Sequence, residues 1–205
     1  MGLRERKKAA TSQRIIEEAS RMFQEKGYDN TRIEDVAAKA DLSAATFYNY
    51  FRSKADILLS SVSAETEIVL AEADRCIDGK YSSVAEAFDA LVTTYFTTSF
   101  TRTPRSLWRI AVSQSMLDPG SEFSRRYVDM DIRLSRQCCR FVRAMQDAGH
   151  IRGDVPAVPI GELLFNNVNM NFIDYIRNEN LSSDDVRKLV NRQSAPIFDL
   201  ISCTG

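Results

Sequence analysis

Glycine and proline are scarce in this chain of 205 residues, which holds 8 glycines and 5 prolines. No segment alternates apolar and polar residues around a hairpin turn, as the strands of a half-buried β-sheet would. Since glycine and proline interrupt helices, their scarcity favours helix over most of the chain. We therefore predict an all-α fold.

Cysteine and histidine are also few. The four cysteines (Cys76, Cys138, Cys139, Cys203) lack the paired spacing of a metal site, and the lone His150 has no companion ligand. We predict no metal and no cofactor. Because no Ser/His/Asp set or phosphate-binding loop is present either, we predict that the protein is not an enzyme and keep an all-helical enzyme as a minor alternative.

Long apolar runs are missing as well. No run reaches the roughly 20 residues that a membrane helix needs, and the basic N-terminus lacks the apolar segment of a signal peptide. With 44% hydrophobic and 27% charged residues, the composition is that of a globular protein with a core. We expect a soluble, cytoplasmic protein with no membrane partner.

Neither charge dominates, with 27 Lys and Arg against 28 Asp and Glu. The first 54 residues nevertheless carry 11 basic against 8 acidic residues, and the surplus comes from the cluster of Arg4, Arg6, Lys7 and Lys8 around Glu5. Such a terminus is usually a solvated tail, and a DNA contact is the sharper interpretation. We predict an arm, disordered without DNA, that follows a phosphate backbone or minor groove.

Three short helical patterns follow the arm. Residues 9–26 form an apolar stripe that ends at Gly27, and the capping box of Thr31 to Glu34 begins a second helix. Ser43 caps a third helix, predicted over Ser43–Phe51, after a tight turn at Asp41. Two short helices joined by such a turn and covered by a longer helix indicate a helix-turn-helix.

The third helix has two unlike faces. Phe47 and Phe51, with Tyr50 beside them, lie on one side, which suits burial. The opposite side presents small and hydrogen-bonding side chains, namely Ala44, Ala45, Tyr48 and Asn49. A helix with one apolar face and one face of small, hydrogen-bonding side chains fits a DNA major groove. An ordinary amphipathic surface helix would show the same periodicity of apolar residues.

The run TRIEDVAAKADLSAATFYNYFRSKADIL resembles the N-terminal domain of TetR-type bacterial transcriptional regulators, and the resemblance is dense over residues 10–60. The matching positions are Thr31, Ile33, Val36, Ala37, Ser43, Thr46, Phe47, Tyr48, Tyr50, Phe51, Lys54 and Asp56. Three positions depart from the family's pattern. Asp41 stands in place of the turn glycine, and Ala44 and Ala45 replace a basic residue and a glycine at the start of the recognition helix.

This resemblance, together with side-chain chemistry, implies DNA contacts. Tyr48, Asn49 and Arg32 are expected at base edges, with Asn49 suited to adenine and the methyl groups of Ala44 and Ala45 suited to thymine. Phosphate contacts are expected from Thr31, Thr46, Tyr50 and Lys54, and Ser43 completes the interface. For Tyr50, core packing with its hydroxyl at the rim is equally compatible with the pattern.

Beyond Lys54 the chain reads as a second helical domain. We predict domains at residues 1–54 and 55–205, joined without a flexible linker by a helix over Lys54–Asp78 that acts as a lever. About nine helices are expected in all. The later ones run from Ser83 to about Phe100, from Pro104 to about Asp118, over 121–148, over 158–178, and from Ser182 or Ser183 onward with a break at Pro196.

The family resemblance implies that this second domain binds a small, unidentified effector, although its aromatic and methionine residues could equally just fill a core. The expected lining is Tyr95, Phe96, Phe100, Trp108, Met116, Phe123, Tyr127, Met130, Phe141, Phe165, Asn166 and Asn169. Asn166 and Asn169 belong to a group of four asparagines, with Asn167 and Asn171. Helices disfavour asparagine, so we expect hydrogen-bonding partners in a pocket, a dimer interface or solvent.

The resemblance also implies a homodimer formed by the last two helices as a four-helix bundle. Its expected interface residues are Phe165, Val168, Phe172, Leu189, Ile197 and Phe198. A dimer also follows from the proposed DNA contacts, because one short recognition helix reads few base pairs whereas two, about 34 Å apart, read a palindrome.

The function we predict is a sequence-specific DNA-binding regulator of the bacterial cytosol, a repressor that a small effector releases from a palindromic operator. One alternative is a regulator that responds to oxidation at Cys138 or Cys139, although adjacent free cysteines in a helix usually act as small apolar residues. Another is an architectural DNA binder without an effector.

Overall fold

The computed structural model describes residues 2–203, and within them the regular secondary structure is all helical, apart from one isolated antiparallel bridge between Ile151 and Ser202. The described residues form nine helices joined by turns and short loops, which confirms the predicted all-α fold. They are α1 Leu3–Lys26, α2 Ile33–Lys39, α3 Ala44–Tyr48, α4 Lys54–Ile77, α5 Val84–Thr98, α6 Arg105–Leu117, α7 Glu122–Asp147, α8 Ala157–Arg177 and α9 Ser183–Ile201.

Local capping explains several helix ends. Ser43, Ser83 and Ser182 each accept a hydrogen bond from the backbone N–H three residues later, at 3.1, 3.2 and 3.1 Å, as N-caps do. Gly27 and Gly149 follow α1 and α7 with φ of 84° and 77°, a conformation that glycine adopts without strain. The predicted caps and helix ends at these residues are confirmed.

Three predicted boundaries are wrong. α1 begins at Leu3, so the basic cluster is helical and is not a disordered arm; the Glu5 carboxylate accepts a hydrogen bond from the Gly2 N–H at 2.8 Å. α3 ends at Tyr48, three residues early. α9 continues through Pro196, although proline lacks the N–H for a helical hydrogen bond.

The chain divides into two compact units. Unit 1 comprises Met1–Ala64 and Arg102–Tyr127, and unit 2 comprises Glu65–Thr101 and Val128–Gly205. The predicted division after residue 54 falls at the start of α4, whereas unit 1 continues along α4 because Ile57 is buried there and Ser61 lies 3.4 Å from Ser20 of α1.

Unit 2 has a single large core to which α5, α7, α8 and α9 all contribute. At its centre the Phe88 ring lies 5.7 Å from Phe141 and 5.2 Å from Phe198. Asn167 and Asn171 belong to this unit, and both find partners on α9. They therefore hold α8 against α9. No helix within residues 2–203 has the length and apolar character to cross a membrane.

Candidate nucleic-acid interface

The turn between α2 and α3 sets the geometry of the helix-turn-helix. Asp41 has a φ of 51°, the left-handed conformation expected where the family's pattern has glycine. The Leu42 N–H donates to the Ala37 carbonyl at 2.9 Å and so closes the end of α2. Ser43 then caps α3, and its hydroxyl lies 2.8 Å from that of Thr46. The turn is therefore fixed by hydrogen bonds on both sides.

The two faces predicted for α3 are confirmed. Phe47 and Phe51 are buried in unit 1, whereas Ala44, Ala45 and Asn49 are exposed. Tyr48 is 49% exposed, and its ring meets the Phe47 ring edge-on at 5.7 Å. The Tyr48 ring thus packs against the buried Phe47 ring, while the exposed part of the side chain is available to a partner.

A concave groove of about 750 Å³ joins α3 to the start of α1. Its lining residues are Leu3, Arg4, Lys7, Lys8 and Thr11 from α1, and Thr46, Asn49 and Tyr50 near α3. The α1 residues recur at three- and four-residue intervals, so helical periodicity gathers their cations on one side. Three basic side chains thereby lie beside hydrogen-bonding groups of the recognition helix, a combination suited to a polyanion with readable edges.

Two of these lining residues, Leu3 and Thr11, were not predicted. The signal was available in the sequence, because Arg4, Lys7, Lys8 and Thr11 fit one helical face once helix is extended to the N-terminus. Arg6, which was predicted to contact DNA with this cluster, is not among the groove's lining residues.

Two predictions for Thr31 are wrong, namely that it contacts a phosphate and that it caps α2. Its side chain is 1% exposed, and its hydroxyl lies within hydrogen-bonding distance of the Met22 and Gly27 carbonyl oxygens, at 3.2 and 2.8 Å. Arg32 occupies the N-cap position of α2 without a side-chain hydrogen bond. The Thr31 hydroxyl is therefore not at the surface, and its contacts connect the segment before α2 to the end of α1.

The Lys54 ammonium is engaged in contacts within the protein. Its ammonium donates to the carbonyl oxygens of Tyr28 and Asp29, at 2.8 and 3.1 Å, and lies 4.9 Å from the centre of the Tyr28 ring. Burial raises the pKa of Tyr28 to about 12, so that ring stays neutral under the cation. Lys54 thus ties α4 to the turn before α2, a role that its place in the family pattern did not indicate.

The remaining predicted DNA contacts are exposed or partly exposed. Arg32 is exposed at the start of α2, where its guanidinium lies 3.6 Å from the Glu34 carboxylate. Such exposed pairs are weak, so this pair does not hold Arg32 in place. Ser43 is exposed as well, but its hydroxyl oxygen is engaged as the N-cap of α3.

The predicted effector residues are distributed over both units. Trp108, Met116, Phe123 and Tyr127 belong to unit 1, and the other eight belong to unit 2. Met116 is 65% exposed and Asn166 is exposed, whereas Phe141 is a core residue. Periodicity identified apolar helix faces, but it could not tell which of them meet in one place.

Within unit 2 an aromatic cluster forms around Phe100. Its ring stacks on Phe172 at 5.8 Å and meets Tyr175 at 5.0 Å, and Tyr175 in turn meets Phe96 edge-on at 5.6 Å. Phe96 and Phe100 were predicted as effector residues. Phe172 was assigned to the dimer interface, and Tyr175 was not singled out.

Asp131 of α7 is a further residue that the prediction missed. Burial raises the pKa of its carboxyl group to about 6. The sequence did carry a signal, because Asp131 falls four residues after Tyr127 and seven before Cys138, on the apolar stripe of α7. An acidic residue in such a stripe breaks the pattern and marks a candidate site.

Two of the six residues predicted at the dimer interface lie in the core of the protomer. Val168 and Phe198 are buried within the core of unit 2, and Phe165, Phe172 and Ile197 pack against that core. Leu189 is partly buried. The large apolar side chains that α8 and α9 leave exposed are Val158, Leu163, Met170 and Leu200. Burial thus contradicts an interface role for Val168 and Phe198, whereas Phe165, Phe172, Leu189 and Ile197 are partly exposed and stay predictions.

Cys138 and Cys139 offer little to an oxidant, because both are buried. Burial raises the pKa of Cys138 to about 12 and also raises the pKa of Cys139, whose thiol donates to the Val158 carbonyl at 3.5 Å. The thiolate is the reactive form of cysteine, and it is scarce at neutral pH when the pKa is raised. The structure therefore argues against the thiol-responsive alternative.

Comparison with known proteins supports the helix-turn-helix assignment. Residues 15–60 match the family model of bacterial regulatory proteins of the tetR family. The HTH-type transcriptional regulator TcmR of Streptomyces glaucescens is 37% identical over 70 residues, which are 34% of this chain and 31% of that protein. The negative regulator IcaR of the Staphylococcus aureus biofilm operon icaADBC is 41% identical over 49 residues, 24% of this chain and 26% of that protein.

These matched stretches span only about a third or less of the curated relatives, but solved structures match nearly the whole fold. A TetR-family regulator from Mesorhizobium loti superposes with a TM-score of 0.74 at 18% identity, covering 96% of this chain and 98% of that one. A transcriptional regulator from Saccharomonospora viridis, solved with choline, gives a TM-score of 0.72 at 24% identity, covering 96% and 100%. The chain thus carries the N-terminal domain of the tetR family over residues 15–60, and its whole fold is similar to that of these solved regulators.

Proposed function

We propose that the protein is a sequence-specific DNA-binding transcriptional regulator that acts as a dimer in the bacterial cytosol. The observation that carries this proposal is the groove in which Arg4, Lys7 and Lys8 lie beside Thr46 and Asn49. Cations at one wall neutralise phosphates, and the exposed face of α3 presents hydrogen-bonding groups to base edges. The two kinds of contact that sequence-specific binding needs are therefore adjacent.

Within this proposal the residues divide by role. Arg4, Lys7 and Lys8 contact the phosphate backbone and set affinity, whereas Tyr48 and Asn49 face the bases and set sequence preference. Arg4, Lys7 and Lys8 belong to a helix that is continuous from Leu3, so they meet DNA already ordered. That arrangement replaces the flexible arm expected from the sequence.

A dimer follows from the size of the recognition helix. α3 has five residues and reaches few base pairs, so a unique site needs a second copy about 34 Å away. The exposed apolar side chains Leu163, Met170 and Leu200 give α8 and α9 a surface for that second copy. A monomer at micromolar concentration in sedimentation would contradict this part of the proposal.

Repression and effector release complete the proposal. IcaR is a negative regulator, which supports repression, and the Saccharomonospora viridis protein was solved in complex with choline, which supports a small-molecule effector. The effector must bind the DNA-free state more tightly, because equal affinity for both states would shift nothing. A coupling of about 1–3 kcal/mol would weaken operator binding by about 5- to 150-fold.

The test begins with selection of binding sites from random DNA by the full chain. We expect an enriched palindrome, whereas salt-dependent binding without a preferred sequence would favour the architectural alternative. On the selected site, the Lys7→Gln/Lys8→Gln double variant should lower affinity and reduce the salt slope by about 0.9 for each phosphate that is no longer neutralised. Lys80→Gln, an exposed lysine of unit 2, is the matched control and should bind as wild type.

Tyr48→Ala and Asn49→Ala test the base contacts. Each should change which sequences are preferred and cost about 1–3 kcal/mol on the selected site. Undiminished binding by both variants would overturn the assignment of α3 as the recognition helix.

A further inference from the structure

A row of polar contacts joins α4 to α7 within unit 2, and we call it the α4–α7 seam. Its members are Glu67, Leu70, Asp74 and Asp78 of α4 and Arg133, Gln137 and Arg140 of α7. The three α7 residues recur at intervals of four and three, so helical periodicity places them on one side of that helix. The two helices are therefore joined by bonds that have defined partners and directions.

Gln137 is the buried centre of this seam, with only 5% of its surface exposed. Its amide nitrogen donates to the Leu70 carbonyl oxygen at 2.8 Å and to the Asp74 carboxylate at 2.5 Å. Its amide oxygen accepts a hydrogen bond from the Tyr95 hydroxyl of α5 at 3.0 Å. Because a carbonyl and a carboxylate oxygen only accept, the amide has one orientation in which all of these bonds form. One side chain thus connects α7 to both α4 and α5.

The ion pairs on either side of Gln137 follow the same register. Arg133 donates to both carboxylate oxygens of Glu67, one of them at 2.7 Å, and Arg140 donates to Asp74 at 2.6 Å. The two members on each helix are seven residues apart, which is about 10.5 Å along both helix axes. A slide of one helical turn, about 5.4 Å, would separate all of these partners at once. The seam therefore defines a single register of α4 on α7.

Gln137 contributes more to this register than the ion pairs do. The side chains of Arg133 and Arg140 are 38% and 41% exposed, and exposed ion pairs stabilise little. A buried amide that loses its partners instead incurs its full cost of desolvation. Apolar contacts are not directional and do not select one register in this way. The apolar residues that α4 contributes to the core of unit 2 are Val69, Ala73 and Ile77.

α4 extends beyond unit 2. It is one helix from Lys54 to Ile77 without glycine or proline, and its residues up to Ala64 belong to unit 1. There the Lys54 ammonium donates to the Tyr28 and Asp29 carbonyl oxygens, which precede α2. Because α4 is continuous, a slide of its second part along α7 would move the part that contacts the helix-turn-helix.

We propose that Gln137 is a positioning residue that determines which spacing between two DNA half-sites the dimer accepts. This inference rests on the proposed function, since it requires a dimer that binds a palindrome. Two recognition helices select one half-site spacing only when the distance between them is fixed. By holding α4 in one register in each protomer, Gln137 keeps that distance constant.

The test uses the palindrome that the full chain selects, rebuilt with its half-sites one base pair closer or farther apart. One base pair shifts a half-site by about 3.4 Å and rotates it by about 35°. We expect the wild type to bind the selected spacing about tenfold more tightly than the altered ones. Gln137→Leu, which has a similar size and forms no hydrogen bonds, should reduce this preference to about threefold or less.

Tyr95→Phe removes only the hydroxyl that donates to the Gln137 amide oxygen, and it should give an intermediate spacing preference. If Gln137→Leu does not fold, Tyr95→Phe alone decides the test. The affinity for a single half-site should equal that of the wild type in both variants, because the recognition helix is unchanged.

Val186→Ala is the control matched for stability, because Val186 is buried in the core of unit 2 on α9 and is not a member of the seam. It should lower the melting temperature and keep the spacing preference of the wild type. Arg136→Gln, at the exposed position beside Gln137, should change neither quantity.

Equal spacing preference in the wild type and Gln137→Leu would overturn the inference. An equal relaxation in Val186→Ala would overturn it too, because lost stability would then account for the effect. Both results leave the proposed function standing, since the wild type still binds its palindrome. Selection that yields no palindrome would overturn the proposed function and this inference with it. Relaxed spacing in Gln137→Leu and Tyr95→Phe, but in neither control, would support both.

Discussion

Replacing Asp131 with asparagine should stabilise the protein above pH 6. Asparagine is nearly the same size and shape as aspartate but cannot ionise, so the change removes a charge that burial penalises. Burial raises the pKa of this carboxyl from the ordinary 3.8 to about 6. At roughly 1.36 kcal/mol per unit, the charged form costs the fold about 3 kcal/mol as an upper limit. Since Asp131 is not wholly buried, we expect about 1–3 kcal/mol.

The sign of the effect depends on pH. The folded protein binds the Asp131 proton more tightly than the unfolded chain does, so protonation favours folding. That stabilisation is complete below about pH 4 and is lost as the pH rises through 6. The asparagine variant has no such loss. Its advantage over the wild type should therefore be absent near pH 4, grow between pH 4 and 6, and stay constant above.

Thermal and urea unfolding from pH 4 to 8 would measure this difference. For a chain of this length, each kcal/mol corresponds to about 2–4 °C in melting temperature. Asp129→Asn is the matched control, because it also replaces a carboxylate of α7 but at an exposed position two residues away. If Asp131→Asn is no more stable than the wild type at pH 8, or if its gain is the same at all pH values, burial does not disfavour the Asp131 carboxylate and the reasoning fails.

Three further predictions concern the fold. Thr31→Val should destabilise unit 1 by about 1–2 kcal/mol in urea melts without changing the salt slope of operator binding. A smaller salt slope in this variant would instead indicate that Thr31 contacts a phosphate. Asp41→Gly should gain up to about 1 kcal/mol in the same melts by relieving a φ of 51°, and Asp41→Ala should show no gain. Cys138 should react with a thiol reagent at pH 7.5 only as the protein unfolds, because burial raises its pKa to about 12, and rapid reaction of the folded protein would contradict this.

Local patterns in the sequence were sufficient for the helices and for the helix-turn-helix. A cap such as Ser43, a stop such as Gly27 and the left-handed turn at Asp41 each involve residues within a few positions of one another. The two faces of α3 follow from helical periodicity in the same way. These features depend on short-range geometry, so the residues that produce them are adjacent in the chain.

Local patterns were not sufficient where a polar side chain finds its partner in another segment of the fold. The spacing of Thr31 predicts a helix cap, yet its hydroxyl lies within hydrogen-bonding distance of carbonyl oxygens at the end of α1. Lys54 fits a phosphate contact, yet its ammonium donates to the carbonyl oxygens of Tyr28 and Asp29, which lie 26 and 25 residues before it. In each case a polar group found a partner inside the protein that competes with the expected one outside it.

The sequence by itself determined that the chain is helical, that a helix-turn-helix lies near its start, and which side of each helix is apolar. Only the tertiary structure decided which neighbour covers each apolar side. It assigned Phe198 to the core of the protomer, placed Lys7 and Lys8 beside α3, and partly buried the carboxyl group of Asp131. Periodicity depends on one helix, whereas burial and pairing depend on the packing of several, and no single segment contains that information.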